Sequence, residues 1–137
     1  KLTVVVLGNL AQSNVGTIAH GAAKIIMPEL VEKPIRDPDP AKTKAHKEII
    51  EKIADGTIQR TPFEEKTAEE LFPSLIAQAR AQLSSFGKLE KFELLEHKHD
   101  PQRLTRRYRM TFEKETIQLV IGENGDGKIV AIFVRPD

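Results

Sequence analysis

Leu104-Thr-Arg-Arg-Tyr-Arg-Met-Thr-Phe112, Glu113-Lys-Glu115, Ile117-Gln-Leu-Val-Ile121, Gly122-Glu-Asn-Gly-Asp-Gly127 and Ile129-Val-Ala-Ile-Phe-Val134 follow one another almost without a break, and they decide the fold. Leu104, Arg106, Tyr108, Met110 and Phe112 alternate with Thr105, Arg107, Arg109 and Thr111, the period of two that sends successive side chains to opposite faces of a strand. Glu113-Lys-Glu115 reads as a tight turn, and residues 122–127 hold three glycines of the kind a positive-φ hairpin connection needs. Leu89 to His97, with Phe92 and Leu94 on one face, reads as a preceding strand, so the segment predicts a four-stranded antiparallel meander. In the last strand Ile129, Ala131 and Phe133 alternate with Val130, Ile132 and Val134, and both sets are apolar. One face is expected to take helices. The other needs a second cover: a pocket, a partner copy, or the strand and helix of the N-terminus.

Upstream of the meander the periodicity is helical. Asp39-Pro40 is an acceptor cap followed by proline at the first helical position, and Gly56 supplies the stop, with Ala45, Ile49, Ile50 and Ile53 as the apolar stripe. Thr67-Ala-Glu-Glu70 matches a capping box and opens a second helix, with stripe Ala68, Leu71, Phe72, Leu75, Ile76, Ala79 and Leu83 and an end at Gly87. Pro73 falls in its first two turns, which allows a start nearer Phe72. Helices followed by a meander predict an α+β layer, helices packed on one face of a four-stranded antiparallel sheet. Before this lies Glu32-Lys-Pro-Ile-Arg-Asp-Pro-Asp-Pro40, a stiff linker. Thr3 to Leu7 reads as a strand buried on both sides, and Val15 to Ile26 as a helix closed at Pro28. The expected organisation is a strand-helix segment over 1–31, a Pro-rich linker over 32–40 and an α+β domain over 41–137. A start at Lys1, one residue before an apolar strand pattern and with no initiator Met, suggests a piece of something longer.

The 137 residues carry 21 Lys+Arg against 20 Asp+Glu, a formal charge of +1, and no Cys or Trp. That balance lacks the field that draws nucleic acid or an anionic membrane. Without Cys there is no disulfide scaffold, thiolate zinc site or cysteine nucleophile. No apolar stretch, neither Val4 to Leu7 nor Ile129 to Val134, comes near the roughly 20 residues of a spanning helix, so no membrane partner is expected.

Few constellations suggest chemistry. His97-Lys-His99 with Asp100 could offer metal ligands, but the pattern reads as a solvated strand end, and no metal or cofactor is expected. His20 and His46, the latter among lysines on a polar helix face, read as bystanders. Arg103, Arg106, Arg107 and Arg109 divide between two strand faces, within reach of Glu93, Glu113 and Glu115 across strands, so they read as paired rather than as a nucleic-acid surface. Gly122 to Gly127 lacks the Lys-Ser/Thr ending of a phosphate loop, and no serine has a hydrolase elbow; Ser85 has Lys88 three residues later, but with Gly87 between them at the expected end of a helix.

Leu2-Thr-Val-Val-Val-Leu-Gly-Asn-Leu10, Ile18-Ala-His-Gly-Ala-Ala-Lys-Ile-Ile26 and Pro28-Glu-Leu30 resemble the C-terminal end of a serine β-lactamase-like hydrolase domain, the family of penicillin-binding proteins and related esterases. Its Tyr-x-Asn and Lys/His-Thr-Gly motifs do not occur here, and Ser85-Phe-Gly-Lys88 matches Ser-x-x-Lys in spacing alone, far from the segment that carries the resemblance, so no catalytic residue carries over. Phe86-Gly-Lys-Leu-Glu-Lys-Phe-Glu-Leu-Leu95, Tyr108-Arg-Met-Thr-Phe112 and Asp126-Gly-Lys-Ile129 resemble a nuclear transport factor 2-like, or cystatin-like, cone. Together these resemblances imply a non-catalytic accessory domain of a periplasmic or extracellular serine hydrolase, with the parent hydrolase domain as its partner and a ligand-binding or site-positioning role. The alternatives are a stand-alone binding or homodimerisation module and a small cone-fold enzyme. An enzyme would need a His/Asp or Tyr/Asp pair at inward strand positions. The expected binding residues are Tyr108, Met110, Phe112, Leu119 and Phe133 on the concave sheet face.

Overall fold

A computed structural model describes residues 3, 5, 21–23, 25, 26 and 31–137. The chain divides into two compact units, Lys1–Lys33 and Pro34–Asp137. In the first, residues 21–23 and 25–26 are helical, and Val5, Ile25 and Ile26 are exposed. Of the expected strand over Thr3 to Leu7 only Thr3 and Val5 are described, both exposed, and the rest of it and most of the expected helix lie outside the described residues.

The second unit begins inside the expected linker, and that segment is tied to the domain. Ile35 N donates to Leu94 O at 2.9 Å, and Asp37 accepts from Arg106. Helix α1 spans Pro40–Asp55, with Asp39 Oδ1 accepting from Lys42 N and Gly56 closing it at φ 82°. Asp39 supplies an acceptor that the free N–H groups of a first turn lack, and proline at N1 sacrifices no hydrogen bond there. The buried stripe is His46, Ile49, Ile50 and Ile53. Ala45 is exposed, so His46 takes the place the sequence assigned to it.

The expected second helix is two helices, α2 over Glu65–Leu71 and α3 over Leu75–Phe86. Pro73 lies between them, and having no N–H it cannot donate the next bond of the helix, so the ladder of α2 stops at Phe72, which sits at φ −83°, ψ −1°. Thr67 is no cap: its hydroxyl donates to Val130 O, while Glu64 precedes the helix without a side-chain bond.

The sheet order is β1 (Leu89–Asp100), β2 (Arg103–Phe112), β3 (Thr116–Glu123) and β4 (Ile129–Pro136), every neighbour antiparallel. The α+β class and the four-stranded meander follow the sequence reading. Tyr108 pairs with Leu94 and Leu119, and Met110 with Phe92 and Ile117, so these side chains share the inner face. That face meets Ile49, Ile50 and Ile53 of α1 and Ala68 and Leu83 of α2 and α3 in one cluster. Burying each large apolar side chain there contributes roughly 1.5–3 kcal/mol. One detail departs from simple alternation. Gly122 pairs with Ala131 but Glu123 with Ile129, leaving Val130 as an extra residue. The bulge shifts parity, so Ile129, 1% exposed, joins Ile132 and Val134 on the inner face while Ala131 and Phe133 lie on the other.

Candidate functional site

Two features stand out on the inner face, one apolar and one polar. The first is a cleft of about 220 Å³ between the helices and the sheet. Ile50 and Ile53 of α1, Leu71 of α2 and Ile76, Ala79, Leu83 and Phe86 of α3 form one side. Met110, Ile117, Leu119 and Ile132 form the sheet side. The break at Pro73 puts Leu75 and Ile76 on a separate helix from Leu71, and all three line the cleft. Leu75, Phe133 and Val134, 47%, 54% and 45% exposed, mark where the cleft opens. Gln82 is its single polar lining residue, and none is ionisable.

The second feature is a buried polar chain at the other end of α1. Arg106, fully buried, donates from Nη1 to Thr43 Oγ1 at 2.8 Å, to Tyr108 Oη at 3.2 Å and to Asp39 O at 3.2 Å. Its Nη2 reaches Asp37 Oδ1 at 3.3 Å, and its Nε donates to His97 Nδ1 at 3.2 Å. Tyr108 Oη lies 2.8 Å from His46 Nδ1. Tyr108 Oη accepts from Arg106 and keeps its own proton for His46 Nδ1 in the tautomer that carries the imidazole proton on Nε2, the side of Glu123. Nε2 lies 3.3 Å from Glu123 Oε1, within ion-pair reach but outside hydrogen-bond geometry. Lys42 Nζ closes the chain at 3.0 Å from Glu123.

Burial works to raise the Glu123 carboxyl, and His46 and Lys42 outweigh it, holding it below the ordinary carboxylate value. Asp37 is likewise lowered: burial opposes, and Thr43, the Asp39 backbone and Arg106 prevail. Burial pushes the Tyr108 phenol up, against the pull of Thr43 and Arg106. Two carboxylates thus face two cations in a compensated chain. His46 and Glu123 border a polar groove of about 510 Å³, but His46 Nε2 and Glu123 Oε2 are themselves closed to solvent. The arrangement holds α1 against the sheet. Its acid–base groups do not line the apolar cleft.

Of the five residues expected to bind, Met110, Leu119 and Phe133 line the cleft. Tyr108 and Phe112 share the inner face but are taken up elsewhere, Tyr108 in the polar chain and against Phe92 at 4.5 Å, Phe112 against Phe86 at 5.6 Å. The register moves Phe133 off the concave face, opposite Val120 rather than Leu119, and it reaches the cleft from the edge strand.

His46, read as a bystander, is 2% exposed and central to the polar chain. The signal was available: positions 46, 49, 50 and 53 follow the i, i+3, i+4, i+7 rule, which Ala45 does not. His97 is half-buried and engaged by Arg106, so it is no solvated strand end. Three of the four arginines are paired, but not with the expected Glu93, Glu113 and Glu115: Arg106 pairs with Asp37, Arg107 with Glu96 at 3.2 Å and Arg109 with Asp137 at 2.9 Å. Among the described residues no helix is long and apolar enough to cross a membrane, and no three imidazole or carboxylate groups gather as a metal site requires.

Comparison with family models, with curated proteins and with solved structures returns no match to this chain.

Proposed function

We propose that residues 34–137 form a non-catalytic, ligand-binding accessory domain of the nuclear transport factor 2-like cone type, belonging to a β-lactamase-related serine hydrolase. The observation that carries the binding role is the apolar cleft of about 220 Å³ beneath α2 and α3. The cleft is concave, apolar over nearly all its wall and open to solvent at Leu75, Phe133 and Val134, the form that small-molecule sites take. The non-catalytic reading is supported by where the reactive side chains point. Tyr108, His46, Arg106 and Glu123 face one another, through hydrogen bonds at Tyr108 and an ion-pair contact between His46 and Glu123, and leave the cleft wall to aliphatic and aromatic groups. The cone assignment rests on the antiparallel meander with helices on one face and on the resemblance of residues 86–95, 108–112 and 126–129, and the hydrolase context on the resemblance of residues 2–30.

The binding role is tested with naphthalene as probe and the Met110 ε-methyl NMR signal as reporter, since Met110 lies in the cleft wall. Naphthalene is expected to shift that signal in a saturable way. Ala79→Phe, which fills the cleft from α3, is expected to abolish the shift while keeping the fold and raising stability by about 0.5–2 kcal/mol. A Met110 signal indifferent to naphthalene in the unmodified protein sinks the proposal. For the hydrolase context, the coding sequence upstream of Lys1 is expected to contain Ser-x-x-Lys, Tyr-x-Asn and Lys/His-Thr-Gly, and a frame without them removes it.

A further inference from the structure

The cleft's size and wall chemistry narrow what it takes. An apolar cavity of about 150 Å³ lined by Leu, Ile and Phe stays dry and binds benzene. At about 220 Å³ this cleft has room for a second fused ring or a short substituent, and not for a long acyl chain. Fourteen of its fifteen lining residues are apolar, so a charged group carried inside would leave water with nothing to receive it. The exception is Gln82. It stands on α3 three positions after Ala79 and four before Phe86, the spacing that puts all three on the cleft side of the helix. Gln82 is exposed, so its amide sits where the cleft meets solvent, and it offers both a donor and an acceptor. The lining therefore matches in charge a neutral molecule, apolar over most of its surface, with one polar group at the mouth.

Resting on the ligand-binding role proposed above, we infer that the cleft selects a compact, uncharged, one- or two-ring molecule whose single hydroxyl or amine-type group hydrogen-bonds Gln82. Selection against ions comes from desolvation, and selection among neutral rings comes from the amide. The two are separable, because Gln82 is exposed and its replacement leaves the apolar wall intact.

The test compares three probes of one ring system, naphthalene, 2-naphthol and 2-naphthoate, titrated at pH 7 into the full chain with the Met110 ε-methyl signal as reporter. Naphthalene and 2-naphthol are expected to bind, and 2-naphthoate to bind at least about tenfold more weakly. In Gln82→Leu the affinity ratio of 2-naphthol to naphthalene is expected to fall by about fivefold, the size of one ordinary hydrogen bond, with naphthalene itself little changed. In Gln82→Glu, (2-naphthyl)methylammonium is expected to gain affinity relative to 2-naphthoate. Equal binding of naphthoate and naphthol overturns the selection against charge. An unchanged ratio in Gln82→Leu overturns the role of the amide. In both cases naphthalene still binds and the general binding role survives, whereas failure of all three probes takes down that role first. Probe affinity that falls as protein concentration rises puts a second copy in the cleft and overturns the small-molecule assignment.

Discussion

Tyr108 shows how much one oxygen can organise. Its hydroxyl sits between Arg106 and His46, and it links the Asp37–Arg106 pair to the Lys42–Glu123 pair through His46. Tyr108→Phe keeps the ring stacked on Phe92 but strips His46 Nδ1 of its donor and Arg106 of one acceptor. Leaving buried groups unmade costs about 1–3 kcal/mol, which urea unfolding at neutral pH should register as a lower midpoint with an unchanged slope. An unchanged midpoint means the chain contributes nothing to stability. The carboxylates set a pH dependence. Glu123 and Asp37 have folded values lowered from ordinary values of 4.5 and 3.8, so the folded state binds fewer protons there than the unfolded chain. Their stabilisation is present above about pH 4.5 and is lost as pH falls through the lowered folded values. Glu123→Gln is therefore expected to flatten the acid limb of a Tm-against-pH curve, and an acid limb of undiminished slope counts against the pairing. His46 marks the limit of reading by residue type. A histidine between lysines looks solvated until two residues far along the chain, Tyr108 and Glu123, are known to face it.

Among the elements, what was legible was local. The Asp39-Pro40 start, the Gly56 stop, the Gly87 end and the hairpin at residues 122–127 depend on neighbours in sequence, and each is where it was read. The glycine ends differ in kind. Gly56 is in the left-handed helical region at φ 82°, ψ 16°, which other residues visit at modest cost. Gly87 has φ 85° with ψ −157°, a region nearly reserved for glycine, and Glu113 packs where a Cβ would go while accepting from Lys88 N. Gly87→Ala is thus expected to destabilise by about 1–3 kcal/mol, and Gly56→Ala by about 1 kcal/mol or less. Thermal unfolding of the two variants side by side checks the order, and a larger loss at Gly56 refutes it. Less legible were features decided by distant contacts. The split of one apolar stripe into α2 and α3 and the inward turn of Ile129 depend on a proline's strength in context and on a bulge that no local pattern announces.

For the molecule as a whole, each strand pairs with its neighbour in sequence, and the core collects on the inner faces of β2 and β3. Local opening should follow that gradient. Amide exchange is expected to be slowest at Tyr108, Met110, Leu119 and Ile121, and faster by two or more orders of magnitude at Phe133 to Arg135 on the edge strand. Uniform protection across the sheet contradicts this. The α+β class and the placing of an apolar inner face were visible in alternation and helical spacing. The cleft was not, because it is the space left where three helices fail to meet the sheet.

The bulge at Val130 gives the last strand a double meaning. Its two alternating sets are both greasy, so hydrophobicity alone reads the strand equally well in either phase. The phase is chosen at one end, where Ile129 N donates to Pro62 O and Ile129 O accepts from Glu64 N. Those two bonds work as punctuation. Slip the strand by one residue and Phe133 trades places with its neighbours, putting a benzyl ring where the opening now is, so the loop at residues 62–64 edits the cleft without touching it.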